Sequence, residues 1–308
     1  MNEANKSVWP GPKGLIPVTS GKAEDANVYN RAYLDHIHVE MRVIDSVEPK
    51  LGTEIFGERF SSPIMMPAFS HLNKVGEDGK RPMVQYALAA KELQLMNWVG
   101  MEEDADYAEI AATGTRTVRI IKPFRDHAVI LEQIDFAVRH KAIAVGIDID
   151  HVPGKDGKYD IVDGIPMGPV TREDLRAFVA ASPVPFVAKG VLSVQDAVKA
   201  KEAGCAAVVV SHHHGRIPFG IAPLQILPRI REALAGSGVK IFVDCSMDRR
   251  VRSLQGTGPR RGCRLRGARH TLAASQRRNG GGQEKDTKDE RRARGTHDVY
   301  GRREYGGV

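Results

Sequence analysis

Ala206–Arg216 reads AAVVVSHHHGR: an apolar run brings a serine, three consecutive histidines, a glycine and an arginine to one strand end. Such a group is open to three chemistries. Adjacent histidines suggest a metal, but side chains at i and i+1 diverge on a strand or loop, so a run of them seldom ligates one ion. A solvated polar loop is the plainest reading. The third is an acid/base imidazole beside an anion-binding guanidinium. Imidazole titrates near neutrality and can take a proton from a carbinol. An arginine three residues on can grip a carboxylate through parallel hydrogen bonds.

Other charged groups close apolar runs in the same way. Lys189 lies in PFVAKG, where a lone buried ammonium is costly and so calls for a partner or a task. Asp148 ends AIAVGID, Lys122 ends TVRIIK and Asp244 sits in KIFVDC. The structural alternatives are a turn cap for each aspartate and a surface position for Lys122.

These groups need elements to hold them. The runs Pro63–Ala68, Leu95–Gly100, Thr117–Lys122, Ala142–Asp148, Pro185–Gly190, Ala206–Ser211 and Lys240–Cys245 predict strands. Arg81–Leu93, Asp104–Thr113, Asp126–Arg139, Thr171–Ala181, Ser193–Ala203 and Ala222–Ala235 predict helices. Short apolar runs without strict alternation suit strands covered on both faces, hence a parallel sheet. Seven β/α units in series point to a TIM (β/α)8 barrel or a doubly wound sheet. Polar residues recur where strands end, at Ser70, His71, Lys122, Asp148, Lys189, Ser211 to Arg216 and Asp244. A barrel builds its active site at that face. No strand leads into a GxGxxG or P-loop pattern, which counts against dinucleotide-binding and nucleoside-triphosphatase readings. No eighth strand is visible after residue 245.

The 308 residues are 42% hydrophobic, enough for a sizeable core. No apolar run approaches the ~18 residues of a membrane span, and MNEANKSVWPGPKG lacks the apolar centre of a secretory signal. Cys205, Cys245 and Cys263 are too scattered for a disulfide framework or a zinc site, and the first two read as buried thiols. The cytoplasm is the expected location.

The segment Val184–Arg216, VPFVAKGVLSVQDAVKAKEAGCAAVVVSHHHGR, resembles the FMN-dependent 2-hydroxy-acid oxidases and dehydrogenases, the glycolate oxidase and lactate oxidase family. There AKG, a helix and a strand ending S-N-H-G-x-R follow one another. The resemblance runs from about Asn27 to Met247 and includes MRVIDSVEPKLGTEIFGERFSSPIMMPA. It implies a barrel, FMN, and oxidation of a small (S)-2-hydroxy acid to the 2-oxo acid. Carried over by position, His213 would be the base and Arg216 the carboxylate clamp. Lys189 would steady the reduced flavin, and Asp148 would orient the histidine and favour its imidazolium. Pro67, Ala68, Lys122, Ser211 and Asp244 would touch the cofactor. The chain departs from the pattern at His212 and His214, which stand where the family has Asn and Gly, so His214 would narrow the pocket or add a donor. Lys155 and Lys158 lie in roughly the right loop for a second basic residue on the carboxylate. The electron acceptor (dioxygen, a quinone or another carrier) and the route, hydride or carbanion, stay open. Family members are often tetrameric, a homo-oligomer the sequence itself neither requires nor excludes.

Residues 249–308 are a different kind of sequence. They hold 15 Arg and 2 Lys against 6 acidic residues, and no Ile, Phe, Met or Trp, while residues 1–248 carry a net charge of −4. Such a segment cannot bury enough apolar surface to offset its ordering entropy and is expected to be disordered. A nucleic-acid-binding tail is one reading. Another reads the permitted codons one base later: GPRRGCRLRGAR then becomes compatible with LGADAVSVGRG, after a stretch compatible with GYEAFKALA. KDTKDERRARGTHD becomes compatible with KIQRMNEELAGLM. Helix, strand and a glycine-arginine pair appear in the order a barrel needs, which points to a frameshift near Met247–Asp248. The expected organisation is an N-terminal extension over 1–60, barrel units 1–7 over 61–248, and an out-of-frame tail that loses strand 8 and the last helices. The rival functions are another FMN barrel of the isopentenyl diphosphate isomerase type, and nucleic-acid binding through the tail. No metal is expected.

Overall fold

The computed structural model describes residues 22–38, 41, 43–69, 81–154 and 157–247, and the backbone of 263–265. An N-terminal helix α1 (Ala26–Asp35) is followed by a hairpin of β1 (Thr53–Ile55) and β2 (Glu58–Phe60). Then β/α units alternate: β3 (Ile64–Met65), α2 (Pro82–Glu92), β4 (Asn97–Val99), α3 (Asp104–Ala112), β5 (Thr117–Ile121), α4 (His127–Arg139) and β6 (Ala144–Asp148). A small antiparallel pair, β7 (Ile161–Val162) and β8 (Ile165–Pro166), interrupts them before α5 (Arg172–Ala181). The series resumes with β9 (Phe186–Val191), α6 (Val194–Glu202), β10 (Ala207–Val210), α7 (Pro223–Ala233), β11 (Lys240–Val243) and β12 (Cys263–Leu265).

Eight strands form one parallel sheet in the order β3-β12-β11-β10-β9-β6-β5-β4. Parallel bridges Met65↔Met96 and Phe69↔Val99 join its two ends, so the sheet closes into a barrel. The seven strand runs and six helices read from the sequence all appear, with ends shifted by a few residues.

The eighth strand is a correction. Arg264 and Leu265 pair with Ile64 and Met65 on one side, while Cys263 and Arg264 pair with Phe242 and Val243 on the other. The physical reason is that the gap between β11 and β3 offers two rows of unpaired amides and carbonyls. Main-chain pairing asks little of side-chain type. The rest of 249–308, with the disorder expected there, lies outside the described residues.

Side-chain parity explains where chemistry can sit. Successive strand residues face opposite sides of a sheet. Val118 and Ile120, Ala144, Val187, Ala207 and Val209, and Phe242 point into the barrel and pack with Met65, Met96 and Trp98. Ile55 and Phe60 of the β1–β2 hairpin complete this inner core, so the hairpin stoppers one end. Residues of the other parity, such as Val145, Ile147, Val208, Val210 and Val243, pack against the helices. Two or four residues beyond the inner set come 122, 148, 189, 211 and 244. One alternation therefore builds an apolar interior and turns a ring of polar side chains inward at the strand C-terminal ends.

Candidate active site

The register places Asp148 directly opposite Lys189 on neighbouring strands β6 and β9. Its carboxylate bridges two ammonium groups: Oδ1 accepts from Lys189 Nζ at 2.7 Å and Oδ2 from Lys122 Nζ at 2.7 Å. All three residues are buried. Burial alone would raise the Asp148 pKa, but the Lys122 and Lys189 charges override it and hold the carboxyl well below its ordinary range. For Lys189, burial works to lower the pKa, and the carboxylates of Asp148, Asp244 and Asp150 outweigh it, so the ammonium persists to high pH. The lone buried lysine of the sequence therefore has its partner, and Lys122 is not a surface lysine.

His213 follows β10 in a loop where His213, His214 and Gly215 all have positive φ (49°, 58° and 82°). Two non-glycine residues there store backbone strain of about 1–3 kcal/mol each, a strain that recurs at functional sites. The Ser211 hydroxyl holds the turn by accepting from His213 N at 2.9 Å. The three imidazoles diverge. His212 is buried and accepts from Gly215 N through Nδ1, His213 is half-buried at the mouth, and His214 is exposed. His214, expected to narrow the pocket or add a donor, is exposed.

The carboxylate nearest His213 is not the expected one. His213 Nδ1 lies 2.9 Å from Asp150 Oδ1 and 3.8 Å from Asp148 Oδ1. Asp150, not Asp148, orients the imidazole, because Asp148 is committed to the two lysines. Gly190 makes room for it: a Cβ there would meet Asp150 Cγ at 2.2 Å, and the residue has φ +88°. The glycine of AKG is thus a requirement of the histidine's partner.

Arg216 reaches the same mouth. Its Nη2 donates to Asp160 Oδ2 at 2.6 Å and to Pro153 O at 3.2 Å. Asp160 Oδ2 also meets His151 Nε2 at 3.0 Å, and the His151 and His213 rings lie edge to face with centroids 5.5 Å apart. Sequence reasoning missed Asp150, His151 and Asp160. The signal for Asp150 was a second aspartate of inner parity in GIDID, whereas the loop pair falls outside any strand pattern. Helix α1 braces the loop from outside, Asn27 donating to His214 O and Asn30 to Cys245 O.

The remaining expected residues line the same end. Pro67 and Ala68 follow β3, and Ala68 O and Phe69 O crowd Gly100. Asp244 follows β11 and accepts from Cys245 Sγ at 3.0 Å. Lys158 lies in the loop before β7, while Ser70, His71 and Lys155 lie outside the described residues. Ligand atoms of Asp148, His151 and His213 come within 4.8 Å of one another. Two ammonium groups already on Asp148 oppose a cation there. A cavity of about 490 Å³ opens instead between α5 and α6, lined by Thr171, Arg172 and Lys199 among others, and none of the cluster residues borders it.

Fold and site together define a (β/α)8 barrel with an imidazole–carboxylate pair, a guanidinium and a lysine–aspartate–lysine cluster at its C-terminal mouth. The chain belongs to the FMN-dependent dehydrogenase family, whose model matches residues 12–171 and 155–250. An L-lactate oxidase of Nostoc sp. is 39% identical over 92 residues, 30% of this chain and 25% of that protein. The chain thus spans a quarter of the length of that relative. A 4-hydroxymandelate oxidase of Amycolatopsis orientalis is 24% identical over 280 residues, 79% of this chain and 77% of that one. The crystal structure of a mandelate oxidase superposes with a TM-score of 0.81 at 22% identity, covering 92% of this chain and 88% of that one, which bears on fold. No helix among the described residues is long and apolar enough to cross a membrane.

FMN is the cofactor of this family. The ring end of a flavin fits the residues present: buried Lys122 and Lys189 offer charged donors at the ends of the two strands that flank β6, and the Lys189 ammonium is held protonated. The glycine-arginine pair expected to bind the phosphate falls, in the shifted frame, beyond residue 248 and outside the described residues.

Proposed function

We propose that this chain is built to oxidise a small (S)-2-hydroxy acid to its 2-oxo acid. The observation that carries the reading is the His213–Asp150 contact with Arg216 at the same mouth. With Nδ1–H donating to Asp150, His213 Nε2 has a free lone pair for a substrate proton. The imidazolium so formed sits 2.9 Å from Asp150 and 3.8 Å from Asp148, and both carboxylates stabilise it. Arg216 pairs with the substrate carboxylate and fixes which face of the carbinol meets the imidazole. FMN, bound against Lys122, Asp148 and Lys189, would supply the two-electron acceptor. Lys189 then places a persistent positive charge where negative charge develops.

The second part of the proposal concerns residues 249–308: they are the product of a shifted reading frame. The family match stops at residue 250, which supports it. Neither rival function gains support. The isomerase reading has no use for the His213–Arg216 pair, and nucleic-acid binding rests on the tail alone.

The test is anaerobic mixing of the frame-restored, FMN-loaded protein with glycolate, lactate or mandelate. Flavin bleaching is expected with at least one of them and should slow by about 10²–10⁴-fold in His213→Ala. Bleaching at an unchanged rate in that variant overturns the assignment.

A further inference from the structure

We propose that His151, held by Asp160, reads a second hydroxyl on the substrate, so that the preferred substrate class is the 2,3-dihydroxy acids. The proposal rests on the 2-hydroxy-acid reading above and sharpens it.

One carboxylate oxygen organises the element. Asp160 Oδ2 accepts from Arg216 Nη2 at 2.6 Å and faces His151 Nε2 at 3.0 Å. Burial would raise the Asp160 pKa, but the Arg216 hydrogen bond outweighs it and keeps the carboxyl ionised below its ordinary range. An ionised carboxylate only accepts, so the ring nitrogen facing it carries the hydrogen. His151 is therefore the Nε2–H tautomer, and its Nδ1 is a bare lone pair. Burial, with the charges of Lys122 and Arg216, pushes the His151 pKa down to about 4, so the ring stays neutral at physiological pH. Nδ1 is buried and has no partner among the described residues; the same is true of the donor Nε of Arg216.

The mouth thus offers three groups to a ligand: the unmet Arg216 donor, the His213 base and the unmet His151 acceptor. A monohydroxy acid satisfies two of them. Its carboxylate takes Arg216 and its hydroxyl takes one imidazole. The other imidazole, whose ring centroid is 5.5 Å away, would be left a buried acceptor without a donor. A hydroxyl on the neighbouring carbon supplies that donor. Sites built to bond a hydroxyl discriminate strongly against analogues lacking it, because the buried partner is left unpaired.

The experiment is anaerobic calorimetric titration of the frame-restored, FMN-loaded protein with (S)-2,3-dihydroxypropanoate and (S)-2-hydroxypropanoate, which differ by one hydroxyl. The dihydroxy acid is expected to bind at least about tenfold more tightly. That ratio should fall below about twofold in His151→Phe, which keeps a ring but no acceptor, and persist in part in His151→Asn. ¹⁵N NMR of the unsubstituted chain provides a readout independent of variant folding. The unprotonated Nδ1 resonance of His151 should move with the dihydroxy acid and stay in place with the other. Equal affinity for both acids, or an unmoved resonance, overturns the inference and leaves the 2-hydroxy-acid reading standing. Binding of neither acid overturns both.

Discussion

Substituting Asp148→Asn removes one negative charge from between two buried ammonium groups. In the native chain Lys122 and Lys189 each sit 2.7 Å from that carboxylate, and all three residues are buried. Taking one partner out of a buried ion pair typically costs about 3–5 kcal/mol. A domain has about 5–15 kcal/mol in total. The variant should therefore unfold at a clearly lower urea concentration. Its pH dependence is more telling than its midpoint. With Asp148 present, the depressed carboxyl pKa gives stability above about pH 4, lost as pH falls through the folded value. The raised Lys189 pKa gives stability present below about pH 10.4 and lost as pH rises through its folded value. Between those limits the cluster contributes no slope. Without Asp148, burial at Lys189 is opposed only by Asp244 and Asp150, so its pKa falls from the raised native value. The alkaline loss of stability in the native chain should therefore shrink in the variant. Urea titrations of both proteins at several pH values measure this. A variant that loses under about 1 kcal/mol and keeps the native profile would refute the buried cluster.

Two further outcomes are expected. Asp150→Asn should lower the rate of flavin reduction in the frame-restored protein by about 10²-fold or more with little change in substrate affinity, because the imidazole loses its tautomer and orientation; an unchanged rate would return the orienting role to another group. The 308-residue chain as it stands should bind FMN weakly, whereas the frame-restored version should purify yellow with stoichiometric flavin; a stoichiometric flavin spectrum from the unaltered chain would sink the frameshift account.

The strands and helices were legible because parallel strands buried on both faces read as short apolar runs, and this chain has seven of them. The inward ring was legible for a related reason: Lys122, Asp148, Lys189, Ser211 and Asp244 each end a run, and charge at the end of an apolar strand is costly unless the fold uses it. Which aspartate serves His213 was not legible. GIDID offers two of the same parity, and only the register against Lys189 assigns Asp148 to the lysines and releases Asp150. His151 and Asp160 lie on the loop leading into β7, where position follows from loop geometry and no periodicity announces it. Strand β12 was invisible because its pairing is carried by the backbone, and CRL has no pattern that a side-chain reading can detect.

The brace between α1 and the histidine loop has a consequence for how the molecule comes together. Asn27 and His214 meet across 187 positions of chain, and Asn30 reaches Cys245 across 215. Contacts of such span carry the largest loop-closure cost and form late in assembly. Helix α1 leaves the ribosome ahead of the barrel and must wait for nearly all of it before it finds its seat. Nascent or partly assembled copies therefore carry every reactive side chain up to His213 without the arrangement that would make them reactive.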